Sequence, residues 1–263
     1  MLWESLTAQN FEKAVQDSGG LCILPIGVIE KHGQHLPLGT DMYAVTQIAT
    51  AAAAKEKAVV FPYYFFGQIA EAVHVPGTIA ISHKLIMETL REVCDEIARN
   101  GFTKILILSG HGGNNHFLPF FAQEQPRLNR DYSVYVRTAG RHTEEERAKI
   151  VEKLGVAEWG EHAGFAETSM IMYLNPDLVH TSAQPMEEGK DLNRLPTMED
   201  HGIFTGFNWY ASFPNHFAGD FSKSSADAGK ILFDAAVDST VNAIKAIKDD
   251  STSSKLVEEY NVY

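Results

Sequence analysis

Four short apolar runs, at 21–26, 58–61, 104–108 and 132–136, are separated by longer stretches whose apolar residues recur every three or four positions. That alternation narrows the fold more than anything else in the chain. The runs carry β-branched or aromatic side chains and are bounded by Gly, Pro or polar residues, which predicts strands buried on both faces. The stretch 84–99 places Ile86, Leu90, Val93 and Ile97 on one face and stops before Gly101, as a helix does. Residues 42–56 and 226–247, the latter one-sided through Val237, Val241 and Ile244, predict two further helices. Strands alternating with helices imply an α/β fold with a largely parallel, or mixed, central sheet covered on both faces. Residues 1–248 read as a single domain without internal repeats, and 249–263 as a polar C-terminal tail, either frayed or reaching to a neighbour. The segment 183–222, rich in Pro, Gly, Asn and aromatics, reads as a long excursion over a site or a subunit contact.

Composition removes several classes of function. A chain of 263 residues, 44% hydrophobic and 21% charged, has enough apolar surface for a full core, so it is not a disordered segment. Its formal net charge of −12, with no run of five Lys or Arg, would repel an extended polyanion, which argues against a nucleic-acid partner. The first residues lack a basic stretch followed by an apolar one, and no window approaches a membrane span. Cys22 and Cys94 are too few for a disulfide scaffold and sit in apolar or helical patterns, as thiols of a reducing compartment do. Together these point to a cytoplasmic protein with no membrane partner.

Chemistry is concentrated in three clusters. Glu30-Lys31-His32-Gly33-Gln34-His35-Leu36-Pro37-Leu38-Gly39-Thr40-Asp41 follows the first run; Ser109-Gly110-His111-Gly112-Gly113-Asn114 follows the third; the last spans Trp159 to Ser169 and contains His162 and Glu167. Imidazoles and carboxylates on loops after buried strands are what a metal site requires, and in open α/β sheets ligands collect at that rim. Each cluster also has a plainer reading. Asp41 stands where it could cap a helix, His111 could be a polar residue in a tight turn, and Glu167 could be solvated on a helix. Three such clusters in one chain, two of them at the same rim, favour the metal site. His35 reads as a neighbour that supports the ligands. His74, His83, His142, His180, His201 and His216 lack such clustering and default to ordinary core or surface roles. The glycines at 110, 112 and 113 carry neither a Gly-Lys-Ser/Thr ending nor a Gly-x-Gly-x-x-Gly pattern, so they read as letting backbone approach a bound ion, with Asn114 supporting the turn or the substrate.

The elements Glu-x-His-Gly-x-His-Leu-Pro-Leu-x-Thr-Asp at 30–41, Gly-His-Gly-Gly-Asn at 110–114 and His-Ala-Gly-x-x-Glu-Thr-Ser at 162–169, with Val75-Pro76-Gly77-Thr78, resemble the creatininase (creatinine amidohydrolase) family and its Gly-His-Gly-Gly-Asn subgroup. The resemblance runs from about residue 3 to about 245. It implies a three-layer α/β/α fold, a centre of two divalent ions (Zn²⁺, with Mn²⁺ or Fe²⁺ as alternatives), hydrolysis of a cyclic amide or related carbonyl compound, and a homo-oligomer, specifically a hexamer. Carried over residue by residue, it assigns Glu30 and His111 to one ion, His32 to the other and Asp41 to both, with His162 as the acid/base or substrate-orienting residue. Creatinine-hydrolysing members carry a glutamate for the second ion where this chain has Gly113. Glu167 is then the candidate to replace it, and weak creatinine hydrolysis is expected.

The expected chemistry is attack of a metal-activated hydroxide on a polarised carbonyl, with Glu167 relaying a proton and His162 protonating the leaving atom or holding the oxyanion. Trp159 is a candidate wall for a flat small-molecule substrate, and Glu71 and His74 are candidates for the pocket rim. The polar groups of 183–222, Asn193, Arg194, Asn208, Trp209, Tyr210 and Asn215, suggest a hydroxyl-rich or larger ring as substrate. Two alternatives remain open at this level: C–C hydrolysis of a cyclic polyol ketone, and a non-catalytic protein that binds a metal or small molecule. Both cysteines lie outside the clusters, which favours an open catalytic site over a closed structural one.

Overall fold

The computed structural model describes residues 1–156, 162–183 and 189–260. In chain order the regular elements are α1 (Ala8–Asp17), β1 (Leu21–Ile26), α2 (Thr40–Lys55), β2 (Val59–Val60), α3 (His83–Arg99), β3 (Lys104–Ser109), α4 (Asn114–Glu124), β4 (Ser133–Thr138), α5 (Glu144–Leu154), α6 (Phe165–Leu174), α7 (Pro196–Asp200), α8 (Asn208–Ser212), α9 (Ala226–Asp249) and α10 (Thr252–Tyr260). The sheet runs β2-β1-β3-β4 and is parallel throughout.

Strand periodicity divides the core into two. Cys22, Leu24, Ile26, Ile105 and Ile107 face a layer built from α1, α3 and α4, through Ala14, Leu90, Ile97, Phe117 and Phe121. The intervening residues Leu21, Ile23, Leu106 and Leu108 face α2 and α9, through Val45, Ala49, Ala52, Val237, Val241 and Ile244. Since side chains alternate across a pleated strand, a strand covered on both faces must be apolar at every position, which explains the unbroken runs.

The rim that carries the clusters follows from register. Ile26 pairs with Ser109 and Ser109 with Thr138, so three strands end level with one another. The chain leaves β1 towards β2 on one side and β3 on the other, and the loops after β1 and β3 part at that switch point, where α/β sheets place their ligands. Two close approaches hold helices against this rim. A Cβ on Gly110 would lie 2.8 Å from the Asp41 carbonyl oxygen, and one on Gly229 would lie 1.9 Å from the Ser169 carbonyl oxygen, so α2 and α9 each sit closer than any side chain allows.

Expected elements differ from observed ones mainly at their ends. The run 58–61 contributes only the two-residue β2, because the chain departs from the sheet at once after pairing with Cys22 and Ile23. Within 183–222 the described residues form two short helices, α7 and α8. Residues Thr252–Tyr260 of the tail form α10; ahead of it the Lys104 ammonium donates to the carbonyls of Ile247, Lys248 and Asp250 at 2.7, 2.9 and 2.7 Å, closing the end of α9. Among the described residues no helix is long and apolar enough to cross a membrane, and both cysteines are free and buried.

Candidate metal centre

The loop after β1 is pinned before it reaches α2. Glu30 N–H donates to the Leu38 carbonyl at 3.0 Å, the Ile79 N–H to the Ile29 carbonyl at 3.0 Å, and His32 bridges Leu36 in antiparallel fashion. Glu30 and His32 are thereby fully buried, polar side chains with no access to water. Asp41 follows in the first turn of α2. It does not cap that helix: the cap position is Gly39, and no side chain bonds the first-turn amides. Instead its two oxygens diverge, Oδ1 lying 3.1 Å from His32 Nε2 and Oδ2 3.1 Å from His111 Nδ1.

Both imidazoles are held from behind. His32 Nδ1 donates to the Glu30 carbonyl at 3.2 Å, and His111 Nε2 donates to the Gln68 carbonyl at 2.9 Å, which directs the other nitrogen of each ring to the carboxylates. A ring fixed through its outer N–H, with the inner nitrogen bare, is the tautomer that ligates metals. His111 Nδ1 also lies 2.8 Å from Glu30 Oε1. Yet Glu30 Oε1 and Asp41 Oδ2 accept no hydrogen bond of adequate geometry, a costly state for buried carboxylate oxygens unless a cation satisfies them. The ligand atoms form three compact groups: Glu30, Asp41 and His111; His32, Asp41 and Glu167; and Glu30, His32 and His162. The first two share Asp41 and fit a pair of divalent ions.

The buried groups shift one another strongly. Burial alone would lower His32, but Asp41, Glu167 and Glu30 outweigh it and raise the imidazole to about 10. His111 moves the same way: burial opposes protonation, and Glu30 with Asp41 overcomes it. Burial pushes Glu30 up, while His111, His162 and His216 around it hold it well below the usual carboxylate range. Glu167, which receives the Ala163 N–H at 2.6 Å and stands 3.7 Å from His32 Nε2, is raised by burial to about 7.

His162 packs against His32 with ring centroids 4.4 Å apart, and its Nε2 donates to the Lys31 carbonyl at 2.8 Å. Burial, helped by the neighbouring His32, depresses it to about 3, so this ring is neutral at ordinary pH. His35 belongs to none of the ligand groups. The Thr168 hydroxyl donates to the Ala163 carbonyl at 3.1 Å and accepts from His35 Nε2 at 2.8 Å, which ties the loop after β1 to α6.

Several residues named from sequence fall elsewhere. Asn114 is buried, its Oδ1 accepting from Gln68 N–H at 2.9 Å and its Nδ2 donating to Ser109 Oγ at 3.2 Å, bonds that support the turn after β3. His74 is exposed and away from the ligands, bonding the Pro214 carbonyl at 3.0 Å and meeting Tyr210 edge-on. Glu71 stands behind His111, held by Gln68 Nε2 at 2.8 Å. A Cβ on Gly113 would lie 2.4 Å from His111 Nε2 and 2.7 Å from Glu71 Oε1, so a side chain there would have to displace the His111 ring and the Glu71 carboxylate. Trp159 lies outside the described residues. The polar groups of 183–222 are largely spent within the segment: Arg194 donates to the carbonyl of Ala211 at 2.6 Å and to that of Tyr210, and Asn208 accepts from Thr205 N–H at 2.7 Å.

One residue with a plain default reading is in fact part of the centre. His216 is buried, accepts the Trp209 indole N–H on Nδ1 at 2.8 Å, and must therefore carry its proton on Nε2, which it donates to Glu30 Oε2. It stands 186 positions from Glu30 in the chain. The only local signal was Trp209, seven residues earlier, a spacing that means nothing until the loop closes it.

A parallel α/β sheet with convergent imidazoles and carboxylates at its switch point defines a candidate metal-binding protein. The comparisons with known proteins make this specific: residues 4–244 match the sequence model of the creatininase family (creatinine amidohydrolase), and the chain belongs to that family of hydrolases. Curated relatives include the creatinine amidohydrolase of Pseudomonas putida, 26% identical over 262 residues and covering 91% of this chain and 94% of its own. A 3-dehydro-scyllo-inosose hydrolase of Thermotoga maritima is 23% identical over 250 residues, covering 90% and 80%. A mycofactocin precursor peptide peptidase of Mycolicibacterium smegmatis is 28% identical over 241 residues, covering 88% and 86%. Among solved structures, a Zn-Zn form of a mutant creatininase superposes with a TM-score of 0.72 at 21% identity, covering 95% of this chain and 98% of its own. A Mn creatininase gives 0.73 at 20% identity, covering 95% and 99%. The fold is creatininase-like.

Proposed function

We propose that this chain is a two-ion hydrolase that cleaves an amide or a related acyl compound of small size. The observation that carries the reading is Asp41, whose two oxygens reach two imidazoles that face inward from different loops. Glu30 and His111 would hold one ion with it, and His32 and Glu167 the other. Bound there, a pair of divalent cations supplies Lewis acidity, making water a nucleophile at neutral pH and polarising the carbonyl it attacks.

The protein's own groups take the remaining parts. Glu167, held on one oxygen by the Ala163 amide, stands where it can accept a proton from the attacking water and return it to the leaving atom. His162, fixed on the Lys31 carbonyl, would act as an orienting group. Creatinine should be a poor substrate, because Gly113 supplies no carboxylate beside His111.

The test is metal stoichiometry beside turnover on a panel of creatinine, cyclic amides, formamides, short peptides and cyclic polyol ketones. Asp41→Ala should abolish uptake of the second ion and nearly all turnover, whereas Glu167→Gln should weaken one ion and leave the other bound. Retention of two ions and full activity by Asp41→Ala would refute the reading, and efficient creatinine turnover would refute the expected substrate restriction.

A further inference from the structure

A cavity of about 250 Å³ opens at the sheet rim between β3, β4, α2, α6 and α9. Asp41, His111 and Glu167 line it, so each of the two ligand groups that share Asp41 presents two of its three members to this space. Glu30, His32, His162 and His216 close the centre from behind as a buried wall.

The rest of the lining is mostly hydrocarbon, with Ala44, Val45 and Ile48 from α2, Met170 from α6, and Leu232 and Ala236 from α9, and the His142 imidazole is a further polar group on it. Three hydroxyls also line it, but each already has a partner. Thr40 bonds the Pro37 carbonyl at 2.8 Å, Ser109 the His111 carbonyl at 3.1 Å, and Thr138 the Asn115 side chain at 3.2 Å. A ring bearing several hydroxyls would lose water here and find little to replace it, while an aliphatic group would gain by burial.

The edge of the cavity is left bare by Gly112 and Gly140. A Cβ at either would meet nothing within 4 Å, and neither has a positive φ, so neither packing nor backbone conformation calls for glycine there. Their effect is to leave room beside the ligands for the part of a substrate that departs.

We propose that this cavity receives a compact aliphatic group attached to the scissile carbonyl, so that the preferred substrates are acyl derivatives of small apolar acids and not polyhydroxylated rings. The proposal rests on the two-ion hydrolase reading. A volume below the range of about 300–1,000 Å³ typical of drug-sized pockets limits that group to a few carbons.

Straight-chain hydroxamates chelate a divalent ion through their two oxygens and carry an alkyl chain where the acyl group would lie. Calorimetric titration of the Zn²⁺-loaded protein with aceto-, propano-, butano- and pentanohydroxamate should give about fourfold tighter binding per added methylene, from roughly 0.8 kcal/mol per buried CH₂. A polyhydroxylated hydroxamate of similar length should bind more weakly than butanohydroxamate. Ala44→Leu, a substitution a helix accepts readily, should erase the gain with chain length while thermal unfolding reports an intact fold. Binding that is flat with chain length, or tighter for the polyhydroxylated compound, overturns this proposal alone. Failure of acetohydroxamate itself to bind a protein carrying zinc overturns the hydrolase reading as well.

Discussion

Asp41 is the residue on which the centre turns, yet its neighbours decide whether it can work. Trp209 donates to His216 and His216 to Glu30, so a tryptophan on α8 sets the tautomer of a histidine that orients a carboxylate. Partners of ligating groups contribute about 10–100-fold in metal affinity. His216→Ala should therefore weaken the ion held by Glu30 and His111 by that factor and spare the one at His32 and Glu167, as read by competition with a chromophoric chelator; equal weakening of both would show that His216 only packs. His35 gives a pH dependence of its own. Burial lowers it from 6.5 to about 4, partly offset by a bond to Ala163. Between those values the unfolded chain binds more protons than the folded one, so stability is intact above pH 6.5 and falls as the pH drops towards 4. His35→Gln should lose less stability across that window in denaturant titrations, because the amide still donates to Thr168 but does not titrate.

At the scale of elements, α6 matters more than its ten residues suggest. It delivers Glu167 from its first turn and receives the His35 contact on Thr168. Its distance from the sheet is set by α9, which approaches it at Gly229 with no room for a methyl group. Gly229→Ala should force the two helices apart and cost about 1–3 kcal/mol, the usual range for overpacking, against the modest gain a helix draws from alanine. Calorimetric unfolding measures this, and the same variant should bind the ion at Glu167 more weakly if that helix displacement reaches the ligand. An unchanged or raised melting temperature would show that the helices yield without cost.

Across the whole molecule, the centre is a concentration of charge that the fold must tolerate. The five side chains proposed as ligands come from four segments and, with His162 and His216 beside them, share one small volume, so ion binding should act only on the folded chain because no local stretch contains the set. Linkage then predicts a large stabilisation: each ion present at a thousandfold excess over its Kd adds about 4 kcal/mol. Removal of metal by a chelator should lower the melting temperature by many degrees and added Zn²⁺ or Mn²⁺ should restore it, in scanning fluorimetry. Asp41→Ala should respond weakly to the same treatment. No response from the unaltered chain would mean that the ligand groups are not preformed.

The strand runs and the one-sided helices were legible in the sequence because each is a local consequence of burial. Period and apolar content depend on a handful of adjacent residues, so β1, β3, α3 and α9 could be drawn with ends correct to within a few positions. The convergence of Glu30, His32, Asp41, His111 and Glu167 was legible for a related reason: most of them sit on short loops following strands, so chain order nearly reproduces spatial order at the rim. His216 was not legible, nor was the actual place of Glu71, His74 and Asn114. The contacts that place them, Asn114 with Gln68, His74 with Pro214 and Glu71 beside Gly113, span 40 or more residues of chain, and nothing in a local pattern records which loop folds back on which. Tertiary packing alone decided that Asp41 faces two histidines instead of capping its helix, that Glu71 and His111 crowd the space beside Gly113, and that the cavity at Asp41, His111 and Glu167 is lined mostly by hydrocarbon. Each of these is a property of a volume enclosed by several elements, and only the folded chain has such a volume.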